Sequence, residues 1–217
     1  MKKFAVVLSG CGVFDGAEIH EATMTMLAIA QQGAQYEIFA PDVDQYDVVN
    51  HLTHKAMNER RNVLVESARI ARGRIRPLSQ FNASQFDAII FPGGLGAAKN
   101  LSTYAFDGPS ARVNPDVERA VKAMRAQSKP IGALCIAPAI ITRILGDVEV
   151  TIGNDPGTAR DIEKMGGRHK AATHGEVVID RKNNVFTTPC YMLDANIVQI
   201  YEGATNIVRE MMKSFEF

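Results

Sequence analysis

Apolar and polar positions follow two rhythms along this chain. Short, mostly apolar runs occupy Lys3–Ser9, Tyr36–Ala40, Asp87–Phe91 and Ile131–Leu134, each too short for a helix and each followed by glycine, proline or cysteine. Runs of that kind are strands buried on both faces, as the interior of a parallel sheet requires. Between them apolar residues recur at helical spacing. Ile19, Ala22, Met26, Ile29 and Ala30 predict a helix over 17–32, stopped by Gly33, and Val117, Ala120, Val121 and Met124 predict another over Pro115–Gln127. A strand–helix–strand succession implies right-handed crossovers and a parallel sheet. The predicted class is α/β, with one domain over 1–217.

The second half continues the pattern. Ile136–Leu145 reads as a buried helix, Glu149–Ile152 as a short strand, and Asn154–Thr158 as the cap of a short helix ending near Gly166 and Gly167. Val177–Asp180 and Asn184–Thr188 predict a hairpin, and Asp194–Met212 a terminal amphipathic helix. Residues 42–76 are long for a crossover. They read as an insertion, with a helix over Met57–Arg72, that covers a site or forms a subunit contact.

Composition narrows the class. With 46% apolar and 22% charged residues and a formal net charge of zero, nothing favours electrostatic capture of nucleic acid or an anionic membrane. No apolar run approaches the roughly 20 residues of a membrane span. The opening Met1–Leu8 resembles a signal peptide, but it stops at Ser9–Gly12 without a cleavage-like site and reads as a first strand. Three cysteines with no CxxC pair argue against a disulfide framework and against structural zinc, and predict a reducing, cytosolic setting. Asn50, His51 and His54 offer two imidazoles without a third ligand, so no metal is expected.

Candidate chemistry lies at strand ends. Gly10-x-Gly12-x-x-x-Gly16 has the wrong spacing for a dinucleotide loop, and no Gly-Lys-Ser/Thr marks a phosphate loop. Pro92-Gly93-Gly94 ends a strand and opens a helix, a place where backbone amides approach a ligand. Cys135 ends a strand directly before a helix, with Ala133 and Ala137 two residues away on either side, as a sharp strand-to-helix turn needs. Glu18 opens the first helix, and a carboxylate there serves either the helix dipole or acid–base chemistry. Cys11 and Cys190 read as packed thiols. Ligands of open α/β sheets bind at the strands' carboxyl edge, where the Gly10–Gly16 loop, Glu18, the Gly93–Gly94 turn, Cys135 and the strand end near Gly153 converge.

Residues 88–102 (AIIFPGGLGAAKNLS) and 131–139 (IGALCIAPA), together with 8–21, 50–53 and 187–193, resemble PfpI-like members of the class I glutamine-amidotransferase-like superfamily. Within it, the ElbB-type branch, described as isoprenoid-biosynthesis proteins with an amidotransferase-like domain or as glyoxalases, resembles nearly the whole chain. The resemblance implies a flavodoxin-like three-layer sandwich, usually homodimeric, with Cys135 as nucleophile at an elbow and Glu18 as its acidic partner. Oxyanion-binding amides map onto Gly94 and Ile136, with Gly93 beside them. Many relatives have a histidine after the cysteine, where this chain has Ile136, so proteolysis by a Cys–His–acid triad is not implied. The implied activity is cofactor-independent conversion of glyoxal or methylglyoxal to a 2-hydroxy acid, with a thiol whose pKa is lowered at the helix N-terminus. Two alternatives are a redox-sensing or chaperone-like role with an oxidisable Cys135, and glutamine amidotransfer using His174-x-Glu176. His20, two residues past Glu18, points to the other side of a helix.

Overall fold

The computed structural model describes residues 1–216. In chain order the strands are β1 (Lys3–Val7), β2 (Gln35–Ala40), β3 (Val49–Asn50), β4 (Lys55–Ala56), β5 (Ile75–Pro77), β6 (Ala88–Phe91), β7 (Ile131–Leu134), β8 (Glu149–Val150), β9 (Arg168–His169), β10 (Val178–Asp180) and β11 (Val185–Thr188). The helices are α1 (Ile19–Gln31), α2 (Val63–Ile70), α3 (Leu95–Lys99), α4 (Tyr104–Asp107), α5 (Pro115–Ala126), α6 (Ala137–Leu145), α7 (Pro156–Lys164) and α8 (Ile197–Lys213). Among the described residues no helix is long and apolar enough to cross a membrane.

The apolar runs become the middle of a seven-stranded sheet, ordered β10-β11-β7-β6-β1-β2-β5. All neighbours pair parallel except β10 with β11. Strands β6, β7 and β11 are buried at every position, the consequence of helices on both faces. Helices α1, α2 and α8 pack together on one side, and α3, α5, α6 and α7 on the other, giving a three-layer α/β sandwich. The run β2-β1-β6-β7-β11 is the flavodoxin-like order. Strand order reverses between β1 and β6, and the carboxyl ends of β1, β6, β7 and β11 share one edge, because these strands are mutually parallel.

Packing leaves no slack at the sheet centre. A methyl at Gly132 of β7 would lie 2.7 Å from the Met211 sulfur of α8 and 2.9 Å from Ile90, so α8 approaches the sheet only because position 132 has no side chain.

Three elements differ from the sequence expectation. The helix predicted over Met57–Arg72 is confined to α2, because Asn62 takes an extended conformation and its side chain caps the Val65 N–H. Residues 57–62 are not helical, and just before them lies the antiparallel pair β3–β4. Strand β8 pairs with β9 outside the main sheet. The end of the supposed insertion, Ile75–Pro77, is the edge strand beside β2. Gly132→Ala is expected to lower stability by about 1–3 kcal/mol through overpacking, with the fold retained. Urea unfolding of the purified variant checks this; an unchanged midpoint would remove the close approach of α8 as a constraint.

Candidate active site

Two glycine-containing loops build the floor of the site. The loop after β1 is hydrogen-bonded to the turn after β6: Glu18 N–H donates to Gly93 C=O (3.0 Å), Leu95 N–H to Val13 C=O (2.8 Å) and Gly96 N–H to Gly16 C=O (2.8 Å). The Asn100 amide joins them, donating to Ser9 C=O (2.9 Å) and Asp15 C=O (2.8 Å). Several amides of the first loop are engaged internally, with Gly12 N–H on Ala17 C=O, Gly16 N–H on Gly12 C=O and Gly10 N–H on Ser67 Oγ. A loop so occupied cradles no phosphate; its glycines allow two backbones to touch.

Cys135 stands on a left-handed backbone (φ 60°), an uncommon conformation for a residue with a side chain and the mark of a nucleophile elbow. Its N–H is held by Thr188 C=O at 3.0 Å. The side chain is only 7% exposed. The backbone N–H groups of Gly94 and Ile136 act on the sulfur and favour its anion. A methyl at Gly93 would come within 2.4 Å of Cys135 Cβ and 2.7 Å of Glu21 Oε2, so glycine at 93 is what brings thiol and carboxyl together.

The carboxyl that meets the thiol belongs to Glu21. It is fully buried and lies beside Cys135, both groups facing the same space at Gly93. Its Oε2 accepts the Gly93 N–H (2.8 Å) and its Oε1 the Tyr191 N–H (3.2 Å). The assignment of Glu18 as acidic partner is therefore corrected. Glu18 is the N-cap of α1, and its Oε2 accepts the Glu21 N–H at 2.7 Å. Glu21 was findable. Positions 21, 22, 25, 26, 28 and 29 form the buried stripe of α1, and Glu21 is the one acid on it. Tyr191, by contrast, contributes a main-chain donor and leaves no side-chain signature in the sequence.

Burial, followed by the nearby Glu18 carboxylate, pushes the Glu21 carboxyl up to about 8. The Cys135 thiol is likewise raised well above its ordinary range, by burial first and by Glu21 second, against the lowering effect of the Gly94 and Ile136 amides. The expected lowered thiol pKa is thus corrected: desolvation outweighs the amides at the start of α6.

Among the described residues, none of the histidine hydrogen bonds reaches Cys135. His20 is exposed, with Nδ1 2.8 Å from Tyr191 Oη. His51 Nε2 accepts the Phe14 N–H at 3.2 Å, and His51 and His54 both lie against the Phe14 ring. Glu176, from the His174-x-Glu176 pair, is held instead by the Thr173 N–H at 2.6 Å. Cys11, Cys135 and Cys190 are free thiols. A cleft of about 930 Å³ between α1 and the β2–β5 edge, lined in part by Tyr36, Arg72 and Arg74, includes none of the residues around the thiol. Chemistry, and not cavity size, marks the site.

No family model matches the chain. It is 45% identical to the human glutamine amidotransferase-like class 1 domain-containing protein 3, mitochondrial, over 97% of this chain and 82% of that protein. It is 44% identical to the rat ES1 protein homolog, mitochondrial, over 97% of this chain and 83% of that protein. The chain belongs to the ES1 family of glutamine amidotransferase-like class 1 proteins. A solved isoprenoid biosynthesis protein with amidotransferase-like domain from Ehrlichia chaffeensis superposes with a TM-score of 0.94 at 37% identity, covering 99% of this chain and 100% of that one. Glyoxalase III from Candida albicans shares the fold, with a TM-score of 0.65 at 14% identity over 98% of this chain and 97% of that one. The cytosolic expectation is overturned by the ES1 relatives, which carry "mitochondrial" in their names. Free thiols report a reducing environment and do not distinguish one reducing compartment from another.

The raised Glu21 carboxyl couples folding to pH. The unfolded chain loses this proton near the ordinary 4.5, whereas the folded protein keeps it until about 8. Across that window the folded state binds more protons, so this group's contribution to stability falls as pH rises, at up to about 1.4 kcal/mol per pH unit. Denaturation midpoints of the wild type are expected to decline more steeply between about pH 5 and pH 8 than those of Glu21→Gln. Parallel curves for the two proteins would contradict a buried, protonated Glu21.

Proposed function

We propose that the chain is a cofactor-independent glyoxalase that converts glyoxal or methylglyoxal to the 2-hydroxy acid through Cys135. One observation carries this reading: a thiol and a carboxyl buried side by side at Gly93, with the backbone N–H groups of Gly94 and Ile136 favouring the sulfur's anion. The reactive form is the pair after loss of one of its two protons. Glu21 takes the thiol proton as sulfur bonds to the aldehyde carbon, and the carbonyl electron pair moves to oxygen beside the Gly94 and Ile136 N–H groups. Glu21 returns the proton to that oxygen, giving the hemithioacetal.

The carboxylate then removes the hydrogen on the same carbon as a proton. The carbon–hydrogen electron pair becomes the carbon–carbon double bond while the neighbouring carbonyl's electron pair moves to its oxygen, which takes the proton from Glu21 and gives the enediol. Glu21 then accepts the proton of the first carbon's hydroxyl as that carbon–oxygen bond becomes a carbonyl, and the double-bond electron pair takes a proton from Glu21 at the neighbouring carbon. The first carbon is oxidised to a thioester and the second reduced to a carbinol, so the redox change stays within the substrate. Water cleaves the thioester, releasing glycolate or lactate and restoring the thiol. Glu21 suits the shuttle because its pKa lies near neutrality, where an acid–base catalyst is most effective. Rapid peroxide sensing is disfavoured by a thiol held protonated by burial. Glutaminase chemistry is disfavoured because the sulfur has no imidazole partner.

Purified protein is expected to turn glyoxal into glycolate without glutathione, and Cys135→Ala to show none of that turnover. Glu21→Gln is expected to lose roughly 10²–10⁴-fold in kcat/KM. Because activity requires loss of a proton from the pair, kcat/KM of the wild type should rise with pH toward a plateau above about 8. Equal turnover by Cys135→Ala would refute the assignment, and a pH-independent profile would refute the role of Glu21.

A further inference from the structure

The turn Pro189–Leu193 passes beside the thiol and is fixed at its base. Thr188 C=O accepts the Cys135 N–H, and the Thr188 hydroxyl donates to Glu176 C=O at 2.7 Å. Within the turn, Met192 N–H donates to Pro189 C=O (2.9 Å) and Leu193 N–H to Cys190 C=O (3.1 Å), with Cys190 in a left-handed conformation at φ 42°. Behind it, the Cys190 sulfur faces Gly203 of α8. On one flank, Pro189 and Leu193 press on Gly153, where a methyl would lie 3.2 and 2.8 Å from them.

Toward α1 the turn is held by hydrogen bonds from one residue. The Tyr191 N–H reaches Glu21 Oε1, and the Tyr191 hydroxyl reaches Nδ1 of His20, the residue before Glu21. The two rings lie 5.9 Å apart at a 45° tilt, so the hydroxyl–imidazole bond, and not stacking, joins them. Glu21 is fully buried and Cys135 nearly so, and a substrate reaches the sulfur only if something covering it moves. A hydrogen bond at an exposed histidine is a weak fastening, since water competes for both partners.

We propose that Tyr191 and His20 form a latch holding the Pro189–Leu193 turn against α1, which makes Tyr191 a positioning residue for Glu21 and makes the turn the gate to Cys135. Released, the turn carries the Tyr191 N–H off Glu21 and uncovers the sulfur. Its role in turnover rests on the glyoxalase reading, but gating does not.

Alkylation of Cys135 by iodoacetamide, followed by peptide mass, tests the gate without any aldehyde. Tyr191→Phe keeps the ring and the N–H but loses the hydroxyl, and His20→Ala removes the imidazole partner. Both are expected to label about three- to tenfold faster than wild type, the population shift that one hydrogen bond allows. His20→Asn, whose side-chain oxygen can stand in for Nδ1, is expected to restore the slow rate. With glyoxal, Tyr191→Phe should lower kcat without raising KM. Unchanged labelling in both Tyr191→Phe and His20→Ala, or His20→Asn labelling as fast as His20→Ala, would overturn the latch. Faster labelling in a protein that does not turn over glyoxal would sustain the gate and count only against the aldehyde chemistry.

Discussion

A thiol and a carboxyl cannot be buried side by side unless the surroundings replace the water both have lost. Around Cys135 and Glu21 the replacement is entirely main chain: Gly93 and Tyr191 N–H groups on the carboxyl, Gly94 and Ile136 N–H groups at the sulfur. These donors come from the turn after β6, the elbow after β7 and the turn after β11. Glu21 comes from the helix after β1. Only a parallel sheet brings four such segments to one edge, so the β2-β1-β6-β7-β11 order is what the pair requires of the fold. The glycine at 93 follows from the same demand, because any side chain there would occupy the space where thiol and carboxyl meet.

Much of this was legible in the chain because burial on both faces leaves a plain signal. The strands that became β1, β6 and β7 are almost wholly apolar, and β7 begins and ends where its pattern does. The cysteine after β7 is legible as an elbow because small residues flank it. What was lost is information that lives in the third dimension. Glu18 and Glu21 are both acids in the first turn of one helix; their roles separate only when Glu18 closes the helix end and Glu21 falls on the stripe shared with Ala22, Thr25 and Ile29. Sequence position favours the first, and helical geometry the second.

The misread elements share a cause. Residues 57–62 carry charges at helix-compatible spacing, yet Asn62 caps α2, and the chain before it is hydrogen-bonded to residues 43–48 instead. Ile75–Pro77 is too short and too basic to register as a strand, and it is one only because β2 presents an open edge. Glu149–Val150 has strand propensity, but the antiparallel return of β10 ends the main sheet, so it pairs with β9. In each case propensity is weak, and tertiary partners decide.

The same competition decides the state of the thiol. A helix N-terminus favours an anion by about 0.3–1 kcal/mol when exposed and up to ~2 kcal/mol when partly buried. Full burial of an ionisable group is worth several times that. Motif logic, which places a cysteine before a helix and infers a ready thiolate, counts the first effect and omits the second. At 7% exposure the second wins, and the sulfur rests protonated. A protonated thiol needs a neighbouring base to become a nucleophile, and the raised carboxyl of Glu21 lies in contact with it. Burial therefore does two things at once: it raises the pKa of the Cys135 thiol, and it moves the Glu21 carboxyl up toward neutrality. A shallower site would lower both pKa values, leaving an exposed thiol beside an ordinary, weakly basic carboxylate.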